Sequence, residues 1–210
     1  SFSASDEKNK DHADIRFNFE PALAVQVNYL ILSSTGTLAR DLGKPRLAAR
    51  MLRNALNLAP DFFGARMDLA RALIEIEELD ECEGVLQEAV RQKPELPHPF
   101  SLLGNLYTKQ GRFDEAVEVY KDALGKQPNH GPSLAAMGHA LKTIGRQEES
   151  IDTYRDCITR HPEFGEAYWA LANLKTFKFS YDEVARMETY VDDEKLPDER
   201  RVNFNYSLGN

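Results

Sequence analysis

Apolar side chains recur along this chain at helical spacing, in short runs broken by glycine, proline and clusters of charge. Between Pro97 and His130, Leu103 and Tyr107 form one face together with the small Gly104. After a break at Gly111, Ala116, Tyr120 and Ala123 form a second face, which Pro128 ends. Two amphipathic helices joined by a tight turn are predicted. The same pattern returns at a fixed step, since Pro60, Pro94, Pro128 and Pro162 stand 34 residues apart. Gly36, Ala70, Gly104, Gly138 and Ala172 keep that step and are all small, as a close approach between paired helices requires. Leu52, Leu86, Tyr120 and Tyr154 follow it too, as do Ala48, Cys82, Ala116 and Ser150.

A sustained step of this length marks a repeat array whose units bury their apolar faces against their neighbours. Phe100, Leu103, Gly104, Tyr107, Ala116, Tyr120 and Pro128 stand where the signature of the 34-residue tetratricopeptide repeat (TPR) has its aromatic, leucine, glycine, alanine and proline positions, and the chain resembles that family. The resemblance implies an all-α fold, a right-handed α-solenoid of helix-turn-helix repeats. Repeats are expected at 29–62, 63–96, 97–130 and 131–164, with a degenerate one at 165–198 and the start of a further helix at 197–210. A polar tail over 1–17 would precede a single solenoid over 18–210. In repeat five the first helix is expected to run from Gly165 to Phe177. Ser180 and Glu183 have the spacing of a capping box for the second helix, and residues 190–196 are expected to form a loop.

Composition changes this picture little. The 210 residues carry a net charge of −8 and are 42% hydrophobic. An acidic chain lacks the basic surface that phosphate binding needs, so nucleic acid is not an expected partner. Residues 22–39 contain no charge, but Gln26, Asn28, Ser33, Ser34, Thr35 and Thr37 are too polar for a membrane span, and a packed helix starting near Pro21 is expected instead. Repeat two lacks a glycine at its inner turn and carries Glu75, Glu77, Glu78, Asp80, Glu81 and Glu83 there, a solvated rim or a docking site for a basic partner. Cys82 and Cys157 lie two repeats apart, beyond disulfide reach, which together with the lack of a signal-peptide pattern suggests a reducing, cytoplasmic setting.

No catalytic chemistry stands out. His12, His98, His130, His139 and His161 are not paired with cysteine or carboxylate at metal-ligand spacing, and no phosphate-cradling glycine loop or nucleophile constellation occurs. Neither cofactor nor metal is expected. The TPR resemblance implies instead that the first helix of each repeat lines a concave groove through positions 2, 5, 9, 12 and 13. Position 9 then reads Thr37, Arg71, Asn105, His139 and Asn173, with Met67, Ser101, Thr108, Lys109, Lys142, Trp169, Thr176 and Phe177 around it. Asparagine can hold a peptide backbone, while Arg71, Lys109 and Lys142 suit carboxylates or a phosphate. The expected partner is a protein or peptide, an acidic one among the candidates, or a downstream domain of the same protein, and self-association is a further route.

A narrower resemblance covers about 131–210. GHALKTIGR at 138–146, GEAYWALANLKTFKF at 165–179 and LPDERRVNFNYSLGN at 196–210 are similar to the N-terminal TPR region of bacterial TPR-sulfotransferase proteins. This resemblance implies a recruiting region that precedes a PAPS-dependent catalytic domain. No residue of that family's active site has a counterpart in this chain.

Overall fold

The computed structural model describes residues 31, 33–174, 177–191 and 196–209, and the side chains of residues 199 and 200 are not among those described. The expected tail over 1–17, the start of the first helix near Pro21 and Thr176 lie outside this set. Every regular element among the described residues is helical: α1 (residues 33–41), α2 (Pro45–Leu58), α3 (Phe63–Glu75), α4 (Leu79–Gln92), α5 (Pro97–Lys109), α6 (Phe113–Lys126), α7 (Gly131–Thr143), α8 (Gln147–Arg160), α9 (Gly165–Ala172), α10 (Tyr181–Val191) and α11 (Asp198–Leu208). Helices α3, α5, α7 and α9 start at residues 63, 97, 131 and 165, which is the 34-residue step of the sequence. The chain forms two compact units, one up to Gln92 and one from Lys93.

In the first unit α2 packs on α3 and α3 on α4. The core is made by Leu52, Ala55, Leu69, Leu73, Leu86 and Ala89, all buried. A Cβ placed on Gly36 would meet Leu52 Cγ at 2.7 Å, so the small residue there is a steric necessity. Of the acidic run at the α3–α4 turn, Glu78 and Glu81 are both paired with Arg53 of α2, which neutralises part of it.

In the second unit α5 pairs with α6 and α7 with α8, and α6 also packs on α7 and α8 on α9. The close pairs again meet at glycine: Tyr120 presses its ring on Gly104 and Tyr154 on Gly138, where an added Cβ would come within 2.6 Å and 2.8 Å of ring carbons. The turns that join the two helices of a pair need a residue in the left-handed region. Gly43, Gly111 and Gly145 take it at φ of 68°, 76° and 80°, and where repeat two has no glycine Glu77 takes it at 62°.

The C-terminal part departs from the expected regularity. Helix α9 stops at Ala172 instead of continuing to Phe177. Asn173 folds its Nδ2 back to the Trp169 carbonyl at 2.8 Å, and the chain turns away. The turn lets Phe177 and Phe179 pack edge to face at 5.0 Å, with Phe179 6.1 Å from the buried Tyr168, so aromatic burial replaces one further helical turn. Ser180 and Glu183 form the expected capping box, with N–H to side-chain distances of 2.7 Å and 3.3 Å. Tyr190 and Val191, expected in a loop, still belong to α10. The close backbone partner of α9 is α11, which inserts Phe204 between Tyr168 and Tyr190 at 5.3 Å from each ring.

Candidate functional site

Short turns make consecutive helices of the second unit antiparallel, so α5, α7 and α9 run in the same direction. Their facing sides enclose an open cavity of about 580 Å³. Its floor is made of Ala135, Ala136 and Ala170 with the edges of Tyr120 and Tyr154, and Trp169 stands as a wall, 42% exposed. Small side chains leave the space, and the two tyrosines that pack against glycine close it from below.

Six of the residues expected to line a groove come together here: Asn105, Thr108, Lys109, His139, Lys142 and Trp169. They share the cavity because each sits on the first helix of its repeat at a groove-facing position. Asn105 is held in place, since its Oδ1 accepts a 2.7 Å hydrogen bond from the Tyr120 hydroxyl, which also lies 3.4 Å from Thr108 Oγ1. That leaves the Asn105 amide nitrogen directed by a fixed oxygen. Lys109, His139 and Lys142 are exposed around the opening.

The other expected residues have different surroundings. Ser101 is 6% exposed, and its hydroxyl lies 2.8 Å from Ser133 Oγ, which in turn lies 2.7 Å from His130 Nδ1. This polar chain, buried at both serines and half-buried at His130, ties α5 to α7, so Ser101 acts in packing. Met67 is 4% exposed and belongs to the core of the first unit. Thr37 and Arg71 both bind Asp68: Thr37 donates to Oδ2 at 2.6 Å, and Arg71 and Arg40 each donate to Oδ1, at 2.8 Å and 2.9 Å. The Arg71 charge thus already faces a carboxylate of its own helix. Asn173 bridges the Trp169 carbonyl and, at 3.5 Å, the Tyr206 hydroxyl.

Pro132 and Glu166, which are not among the expected residues, also line the cavity. Both are the second residue of their repeat, a position that the groove pattern names, so the signal was present. Tyr120 and Tyr154 were legible only as packing residues, yet their ring edges are part of the floor. Among the described residues there is no group of histidine, cysteine or acidic side chains arranged to hold a metal ion, and no helix is long and apolar enough to cross a membrane.

Three family models, each described as tetratricopeptide repeat, match residues 39–106, 100–132 and 131–164, together more than half of the chain. No curated protein matches. Among solved structures, a crystal structure of MamA protein aligns with a TM-score of 0.66 at 16% identity, over 87% of this chain and 91% of that one. The structure of TTC0263, a thermophilic TPR protein in Thermus thermophilus, aligns with a TM-score of 0.62 at 18% identity, over 87% of this chain and all of that one. At these identities the likeness shows the fold, an α-solenoid of the same kind.

Proposed function

We propose, from the premise that this chain is a tetratricopeptide-repeat protein, that it is a non-catalytic interaction module and that the α5–α7–α9 cavity is where it holds a peptide segment of a protein partner. The observation that carries this reading is the shape of the cavity. Small residues on α7 and α9 make room beside an exposed tryptophan, with polar groups from α5 and α7 at the opening. That is the composition of a docking site, an apolar floor with a few oriented polar groups. The two buried free cysteines fit a reducing, cytoplasmic setting.

A direct test fills the cavity. Peptides selected from a random display library on the wild-type chain should lose their binding to Ala136→Trp, with the fold of the variant verified by circular dichroism. Selected peptides that bind the variant undiminished would remove the assignment. A second reading, the recruiting region of a PAPS-dependent sulfotransferase, is favoured by the GEAYWALANLKTFKF string and is decided by the open reading frame beyond Asn210.

A further inference from the structure

Lys109 is the last residue of α5 and Lys142 the last but one of α7, whereas Glu166 is the second residue of α9. Because the three helices run in the same direction, the two lysines stand at one end of the cavity and the glutamate at the other. The cavity is therefore polar along the helix axes, basic where α5 and α7 end and acidic where α9 begins. Between the ends lie Trp169 and Ala135, each the fifth residue of its helix.

We infer that this site, read as a peptide cavity, takes an extended acidic segment: a carboxylate side chain seated at Lys109 and Lys142, and a large apolar side chain on Trp169 and the alanine floor. Seven residues of helical rise separate the level of Ala135 from that of Lys142, about 10 Å at 1.5 Å per residue. An extended chain covers that distance in about three residues. Glu166 sets the orientation, because a carboxylate turned toward the α9 end meets a like charge. The net charge of −8 of the whole chain disfavours nonspecific association of acidic segments, against which a local pair of lysines stands out.

Trp169 is the only tryptophan, so its emission reports binding at this site. The probes are acetylated and amidated peptides built on Phe-Ala-Ala-Asp, a partner with lysine in place of the aspartate, and one with alanine in place of the phenylalanine. The acidic peptide should bind wild type about tenfold more tightly than either control, weaken about tenfold on Lys142→Glu, and tighten on Glu166→Lys. The lysine peptide should show the reverse preference between wild type and Lys142→Glu. The gain on Glu166→Lys cannot arise from misfolding. Equal binding of the acidic and lysine peptides to wild type, or binding of neither, would overturn the charge assignment. Neither result touches the cavity as a peptide site, which rests on the library selection and Ala136→Trp.

Discussion

Tyr120 does two things at once: its ring lies on the bare backbone of Gly104, and its hydroxyl donates a 2.7 Å hydrogen bond to Asn105 Oδ1. A packing residue and a residue at the cavity opening are thus one unit. A Cβ on Gly104 would come within 2.6 Å of Tyr120 Cε1, and the ring is buried against that backbone. Gly104→Ala should therefore destabilise the chain by about 1–3 kcal/mol in urea unfolding. Repeat two pairs Ala70 with Leu86, both fully buried, so Tyr120→Leu should recover part of the loss in the double variant. Additive single effects would show that the two side chains do not interfere.

The inner turns give a prediction of opposite sign. Glu77 holds φ of 62° at the position where the neighbouring turns use Gly43, Gly111 and Gly145. A side chain in the left-handed region costs about 1–2 kcal/mol, and the greater freedom of glycine in the unfolded chain returns part of that. Glu77→Gly is expected to stabilise by about 0.5–1 kcal/mol, and Gly111→Ala to destabilise by at least as much. A lower Tm for Glu77→Gly would contradict the strain argument.

The thiols offer a chemical check. Cys82 and Cys157 are fully buried, and burial raises each thiol to about 12, with nearby carboxylates adding to the effect. Thiolate is the reactive form, so at pH 8 only about one thiol in ten thousand is in it. Ellman's reagent should find no fast-reacting cysteine in the folded chain and two after denaturation. A stoichiometric fast phase under native conditions would place a thiol at the surface.

The repeat step could be read from sequence because it rests on steric rules that few residue types satisfy. Gly104 under Tyr120 and Gly138 under Tyr154 admit nothing larger, and Pro60, Pro94, Pro128 and Pro162 bar the preceding helix from running on. The cavity was legible in part, through Asn105, Lys109, His139, Lys142 and Trp169. What escaped was long-range competition for each polar side chain. Nothing local in the sequence says that Asp68 will draw both Arg40 and Arg71, or that Ser133 will draw Ser101 inward. The end of α9 was missed for a similar reason: the segment to Phe177 has a helical pattern, but Phe179 packs back on Tyr168 and Phe177 packs on Phe179.

The chain Ser101–Ser133–His130, half-buried at its histidine, makes stability depend on pH in a defined direction. Burial holds the His130 imidazole below its ordinary value, and the neighbouring His161 adds to this. In the unfolded chain histidine takes its proton near pH 6.5, while in the folded chain it resists until the pH is lower. The unfolded state therefore binds more protons in that interval, and stability falls as the pH is lowered. The contribution is complete above about pH 6.5 and is lost as pH falls through the folded value. Replacing the ring removes the titration: His130→Gln should be less stable than wild type at pH 7.5, where the Ser133 contact at 2.7 Å is disturbed, yet lose less Tm between pH 7.5 and pH 5.5. Thermal scans of both chains across that range measure the difference in slope, and parallel curves would show that His130 is not the group that carries it.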